Sequence, residues 1–372
     1  MVQQETSDPL AAVNLVNDSA LILAARNGEL DKLRLLITRF AADHALTAGR
    51  SDTKHNLGQV LAAHSNKYGK TILHEAAQHG HLSIVQTCIC DYRMAPDCLK
   101  QGDWTPLMLA CSKTLAQSRD IVECLLDNGA DLYRRNKDGW TALHVAARAD
   151  NVPVVELLMR TDVKVCVTHS TNGRTPLHTC AMYGCTRTAE VLLRDVSLCT
   201  PDQVDSCGTT PFMDACRYGS VDIARLIREK HKCNIRHHDK AGLEAVHLSA
   251  EAGAWPSVRY LIEECHVPLT VSDAQSNMNI VHFAVKEGHV ELLRSLKRHC
   301  DASVVQQMCH AKSHKGRTPL HLAAMSRHPE MAEYLLLDCA IRDNEPDDQG
   351  NMARSYAKNL LVKKVLEKYC SS

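Results

Sequence analysis

One motif returns along this chain at a nearly constant interval, and that constrains the fold more than any other feature. "TILHEAAQHGH" begins at Thr71, "TPLMLAC" at Thr105, "TALHVAARAD" at Thr141 and "TPLHTCAMYG" at Thr175. "TPFMDACRYG" from Thr210, "EAVHLSAEAG" from Glu244, "NIVHFAVKEGH" from Asn279 and "TPLHLAAMSRH" from Thr318 continue the series. The steps are 34, 36, 34, 35, 34, 35 and 39 residues. Weaker copies, "SALILAARNGE" from Ser19 and "MARSYAKNLL" from Met352, bring the expected number of units to ten. A fixed period of this length means that each unit is one supersecondary element, burying its apolar face only against the next.

Within a unit the order of residue types dictates local structure. A turn comes first, as at Asp138-Gly139 or Asn172-Gly173. A Thr then caps a helix, its hydroxyl accepting backbone N–H groups, with Pro or Ala at the first helical position. Paired alanines such as Ala146 and Ala147 let neighbouring helices approach closely. A Gly such as Gly80, Gly184 or Gly219 ends the first helix. A second helix follows on apolar spacing, as Val154, Val155, Leu157 and Leu158 show.

"GRTPLHLAA", "GADL" and the 34-residue step together resemble ankyrin repeats from about Ser19 to the carboxyl end. The resemblance implies an all-α solenoid of about ten stacked helix-turn-helix units with β-hairpin fingers, whose fingers and first helices make a concave binding face. The expected organisation is an amino-terminal tail over residues 1–18 and one array over 19–372. The 52-residue gap between Ser19 and Thr71 places an insertion at about 43–65, a looped-out finger or a decayed repeat. The longer step before Thr318 places another in "DASVVQQMCHAKSH", and Lys363, Lys364 and Lys368 suit a capping unit with a wetted outer face.

Composition removes several function classes. Lys+Arg and Asp+Glu are both 43, so no global field exists to hold a polyanion. No run approaches the ~18 apolar residues of a membrane helix, and the amino terminus lacks a basic stretch followed by an apolar one. The 17 cysteines are odd in number and scattered, as at Cys111, Cys124 and Cys216. They read as reduced thiols packed as small hydrophobes, so the expected compartment is the cytoplasm, with the nucleus as a second location.

The histidines His74, His144, His178, His247, His282 and His321 sit at one place in six units. A residue repeated once per unit is a frame element: the imidazole bonds between backbone and capping Thr and ties adjacent turns together. His237-His238 near Cys233 is a tighter cluster, but without a C-x-x-C no metal is expected, nor any cofactor. No nucleophile elbow or phosphate-binding loop occurs, so no active site is expected. The stretch from Arg228 to Lys240 is basic but contains Glu229 and Asp239, and reads as a solvated face, with nucleic acid not expected as a ligand.

The finger positions stand apart. The residue just before each capping position is expected to point out from the fingertip. Lys70, Trp104, Trp140 and Arg174 occupy it in four consecutive units. Two of only three tryptophans in the chain therefore stand in register on adjacent fingers, expected to be exposed. Trp and Arg are the residue types enriched among binding hot spots. The residue before the helix-ending Gly adds His79, Tyr183 and Tyr218, an aromatic strip deeper in the concavity. These seven residues form the expected partner-binding set of a protein that is monomeric by itself.

A narrower resemblance covers about Lys67 to Leu293. "DCLKQGDWTPLMLAC", "RRNKDGWTALHVAARAD", "GRTPLHTCAMYG", "FMDACRYGSVDIARLIREKH" and "HFAVKEGH" are similar to the corresponding stretches of alanyl-tRNA synthetase-associated ankyrin-repeat proteins. The resemblance implies a non-enzymatic partner of the synthetase's catalytic domain, whose lysines capture misactivated serine and prevent its misincorporation. An uncharged lysine amine is a good nucleophile towards the activated acyl group, and with an ordinary pKa near 10.4 most of the rate comes from proximity. Lys137 stands in the matching turn; Gln101 replaces a second lysine, leaving Lys100 beside it; the third has no aligned counterpart, with Lys164 three residues away. The alternative is a general adaptor for another client in signalling or ubiquitin transfer.

Overall fold

The structure, a computed structural model, describes residues 18–43, 53–194 and 200–370. The expected tail at 1–18 lies outside these residues except for Asp18. The chain divides into two compact units, Met1–Pro176 and Leu177–Ser372.

In the first unit, the first helices of successive repeats, Ile72–His79, Pro106–Cys111 and Ala142–Arg148, pack one against the next. The second helices Leu82–Gln86, Ser118–Asp127 and Val152–Thr161 form a parallel layer. Leu143, Ala146 and Ala147 are buried with Val154, Val155 and Leu158. None of these helices exceeds ten residues. Helices this short are marginal alone, so packing against neighbours supplies their stability. Residues 44–52 of the insertion are outside the described set, but Thr53–Ala63 is helical. The insertion thus keeps at least one helix.

The second unit repeats the pattern with Pro211–Arg217, Ala245–Glu251, Ile280–Glu287 and Pro319–Met325 packed in succession. The long step before Thr318 is taken up by an additional helix, Ala302–His310. The last repeat is contracted: a 3-10 turn at Ala353–Tyr356 stands in place of a first helix, before Leu360–Cys370. Cys111, Cys180, Cys216 and Cys309 are buried and in no disulfide.

The frame histidines do what their spacing requires. The Nδ1 atoms of His74, His144 and His321 accept from the backbone N–H of Thr71, Thr141 and Thr318 at 3.2 Å in each case. Their Nε2 atoms donate to the carbonyl oxygens of Trp104, Arg174 and Asn351 in the next finger, at 3.1, 3.0 and 3.1 Å. One imidazole therefore closes its own helix start and grips its neighbour. Met108 occupies this place in the second of the strong repeats, so Thr105 caps without that support, accepting from Met108 N at 3.2 Å. Thr105→Ala is expected to cost about 1 kcal/mol, a drop of roughly 2–4 °C in the thermal midpoint of the first unit.

The expected β-hairpin fingers are shorter than strands. Among the described residues the only strand-like pairings are two isolated bridges, Lys100 with Trp104 and Ser272 with Asn279. The turn at Asn136–Trp140 shows why: Asn136 N donates to Trp140 O at 3.0 Å and Gly139 N to Asn136 O at 2.9 Å. Such a loop closes within five residues, leaving no length for a ladder.

Candidate functional site

The fingers of the first unit are organised by a side-chain acceptor at their first residue. Asn136 Oδ1 accepts from Asp138 N at 3.0 Å and Trp140 N at 2.8 Å. Asn66 Oδ1 does the same for Tyr68 N and Lys70 N at 2.9 and 3.1 Å. In the following finger Ser170 Oγ accepts from Arg174 N at 3.2 Å. These are Asx-type turns, in which a short polar side chain substitutes for a backbone carbonyl. Between them, Lys100 stands where the acceptor belongs. That finger has two left-handed residues, Gly102 at φ 81° and Asp103 at φ 61°, where its neighbours have one.

Adjacent fingers are stitched by single backbone bonds. Gln101 N donates to Tyr68 O at 3.2 Å, Lys137 N to Gly102 O at 3.0 Å and Thr171 N to Asp138 O at 3.0 Å. The result is a continuous ridge of four fingers with fixed spacing.

On this ridge the residue before the capping position lies back along its own helix at Lys70 and Trp140. It occupies the place whose side chain packs back along the first turns of the helix it precedes. Trp140 lies 6.1 Å from the His144 ring and 5.9 Å from the Arg148 guanidinium, two turns down the same helix. Lys70 runs the same way, bonding Gln78 and standing 3.5 Å from Glu75 Oε1. Trp104 is covered by the Lys100 ammonium, 5.1 Å from its ring centre. Both indoles are half-buried, not bare. The expectation of two exposed rings is corrected accordingly: each is half-buried with one cation beside it.

Lys70 and His79 converge on one buried carboxylate. Glu75 is 3 % exposed, accepts from Asn66 Nδ2 at 3.3 Å and has His79 Nδ1 3.3 Å away. Burial holds the His79 imidazole below its ordinary pKa, with the Glu75 carbonyl and carboxylate acting the other way. Arg174 is half-buried on the last finger of this unit. Tyr183 and Tyr218 belong to the second unit, each 47 % exposed at the ends of consecutive first helices.

The three candidate lysines differ in setting. Lys137 is exposed on the tip of its finger. Lys164 is exposed in the 3-10 turn Val163–Val167, its amide donating to Asp162 Oδ1 at 3.0 Å, and is not part of the ridge. Lys100 is half-buried, and burial, then the charge of Lys70, lowers its pKa below the usual lysine value. Two tip residues escaped the sequence reading. Tyr68 is 55 % exposed with the Lys67 ammonium 5.0 Å over its ring. Counting from the turn acceptor, not from the capping Thr, would have found both.

His237 donates to Gly208 O at 3.0 Å and His238 lies 3.3 Å from Glu244, so both are committed to other partners. Among the described residues no group of ligands could hold a metal, and no helix is long and apolar enough to cross a membrane.

The family model for ankyrin repeats in three copies matches residues 4–136, 107–202, 195–273 and 247–348. The chain belongs to the ankyrin-repeat family. Ankyrin stacks are protein-binding scaffolds, and the ridge just described lies where such a stack presents its fingers. Among curated relatives, the Caenorhabditis elegans ankyrin repeat and KH domain-containing protein mask-1 is 30% identical over 59% of this chain and 7% of its own length. Human SH3 and multiple ankyrin repeat domains protein 2 is 29% identical over 60% of this chain and 12% of its own. The Arabidopsis thaliana E3 ubiquitin-protein ligase KEG is 25% identical over 94% of this chain and 18% of its own. This ankyrin chain thus spans less than a fifth of each of these three relatives.

Proposed function

We propose that this ankyrin chain is a non-catalytic scaffold that docks a protein on the finger ridge of its first unit, and that the partner is the catalytic domain of an alanyl-tRNA synthetase. The observation that carries the docking reading is the pair of half-buried indoles, Trp104 and Trp140, on adjacent stitched fingers, each beside a cation. Aromatic anchors framed by charged groups are the usual centre of a protein interface. The synthetase reading is supported by the likeness of the Asp97–Lys100 and Asn136–Trp140 stretches, and places the chain in the cytoplasm.

In this reading lysines of the ridge accept misactivated serine. The amine nitrogen attacks the acyl carbon of the seryl-adenylate, an amide bond forms, AMP leaves, and the amine proton passes to solvent. Lys100 is the best placed, because a lowered pKa leaves more of it as free amine at neutral pH. Lys137 is the second candidate.

Capture of the synthetase from a lysate of the source cells tests the partner. Trp104→Ala with Trp140→Ala is expected to weaken capture about tenfold. Capture equal to the parent's removes the ridge from the interface. Incubation with synthetase, serine and ATP, followed by mass spectrometry, is expected to show seryl-lysine at Lys100 or Lys137; unmodified lysines end the acceptor role. The second reading is an adaptor in signalling or ubiquitin transfer, favoured by similarity to the ubiquitin ligase along 94% of the chain. Recovery of one such client and no synthetase selects it.

A further inference from the structure

The insertion before Thr318 brings a second thiol up to the last strong repeat. Its helix, Ala302–His310, carries Cys309 in the final turn, and Cys339 lies just beyond the helix Pro329–Leu337. Side chains of the inserted segment hold the later one. Gln306 Nε2 donates to the Cys339 carbonyl at 2.7 Å, His310 Nδ1 stands 3.0 Å from Glu345 Oε1, and Lys312 Nζ stands 3.6 Å from Glu345 Oε2. Residues three apart on a helix share a face, as Gln306 and Cys309 do. The face that reaches the Cys339 backbone is therefore the face that bears the second sulfur, and the two cysteine side chains share a hydrogen bond.

Their surroundings make the two thiols unequal. The Tyr334 hydroxyl also bonds Cys339, and the Lys297 ammonium lies close by, donating to the Asp338 carbonyl. The Cys309 bond, then the lysine charge and the tyrosine bond, hold the Cys339 thiol below its ordinary pKa against the effect of burial. The Cys309 thiol is pushed up, first by that same bond and then by burial. Cys111, where burial acts alone, is also pushed up. The thiolate is the form that oxidants attack, and a second thiol beside it is a resolving partner already in place.

We propose that Cys309 and Cys339 form a peroxide-sensitive dithiol that closes to a disulfide and clamps the inserted helix to the last strong repeat. The Cys339 thiolate sulfur attacks one oxygen of hydrogen peroxide, the O–O bond breaks and hydroxide leaves, giving a sulfenic acid. The Cys309 sulfur then attacks the Cys339 sulfur, the S–O bond breaks, and the hydroxyl departs as water with the Cys309 proton. The first hydroxide takes up the proton that Cys339 released. Two thiols thus lose two electrons and two protons, and the peroxide becomes two waters. Cys339 is 4 % exposed between the exposed Asp338 and Ala340, an opening for a two-oxygen oxidant and too narrow for a bulky reagent. The closed ring contains the helix pair Pro319–Met325 and Pro329–Leu337, and its closure restricts the unfolded chain. In a reducing compartment such a bond is transient, which suits a sensor.

The test treats the full chain with hydrogen peroxide, alkylates the remaining thiols and maps an unreduced digest by mass spectrometry. The expected product is a Cys309–Cys339 linked peptide, formed before the exposed Cys90 and Cys207 are oxidised. The thermal midpoint of the second unit is expected to rise by about 5–10 °C on oxidation and to return with dithiothreitol. In Cys309→Ala, Cys339 is expected to stop at the sulfenic acid, which dimedone traps; in Cys339→Ala, Cys309 is expected to stay a thiol. Cys309 and Cys339 both still alkylated once Cys90 and Cys207 are oxidised overturn the proposal, and the parent chain alone decides this if a variant fails to fold. Dimedone labelling of Cys309 in Cys339→Ala overturns the assignment of the nucleophile. A linked peptide with an unmoved midpoint overturns the clamp.

Discussion

Lowering the pH from 7.5 to 5.0 destabilises each unit by about 2 kcal/mol through one buried frame imidazole, His74 in the first and His282 in the second, which urea unfolding midpoints at the two pH values measure directly. His74 in the first unit and His282 in the second are both held down to about 4 from the ordinary 6.5, in each case chiefly by burial. At His74 the Trp104 carbonyl pulls the other way, and the charges of Lys100 and Lys70 add to the lowering. His247 is lowered for the same leading reason. Between pH 6.5 and 4 the unfolded chain therefore binds protons that the folded chain refuses. Stability is complete above 6.5, falls as pH drops through that window and levels off below about 4, for a total on the order of 3 kcal/mol at each of His74 and His282. The structural cause is plain at His74. Its Nδ1 accepts the Thr71 amide at 3.2 Å, and a proton there turns an acceptor into a donor facing a donor. His74→Gln is expected to flatten the pH slope of the first unit. Midpoints that coincide at pH 7.5 and 5.0 refute the assignment.

The second large effect is at the turn that aims Trp140. Gly139 sits at φ 75°, and a Cβ there would lie 2.4 Å from Thr171 N and 2.9 Å from Ser170 C. Both are backbone atoms of the next finger, held by the bond from Thr171 N to Asp138 O, and neither can swing aside. Gly139→Ala thus combines the left-handed penalty with displacement of a stitched finger, about 3 kcal/mol together. Gly129→Ala is the control: φ is 89° but nothing lies within 4 Å, so only about 1 kcal/mol is expected. A thermal midpoint for Gly139→Ala within 2–3 °C of the control's would show that the stitch contributes little. Partner capture should weaken in Gly139→Ala as well, because Trp140 is the adjacent residue.

Much of this was legible from spacing. A capping Thr followed three residues later by His is a local pattern, and its hydrogen bonds are local too. Thr71, Thr141 and Thr318 therefore behave as their sequence neighbours require. The same holds for the buried alanine pairs and for the class of fold, because a one-dimensional stack repeats one short-range rule. The contraction of the last repeat and the helix at Ala302–His310 were visible only as irregular steps.

The direction of Lys70 and Trp140 could not be read this way. Whether a side chain leaves a fingertip or lies down along its helix depends on atoms eight residues on, at Gln78 and Arg148, and on the pitch of the turn between. The buried charge of Glu75, shared by Asn66, Lys70 and His79, is likewise a meeting of residues from one finger and one helix end. Sequence by itself determined the repeating unit, its caps and its buried face, since each follows from contacts within a few residues. Only the tertiary structure decided which cations are spent and which are left on the ridge. The pairing of Lys70 and His79 with Glu75 is settled by how one finger folds onto its helix, and the linear order of residues does not contain those distances.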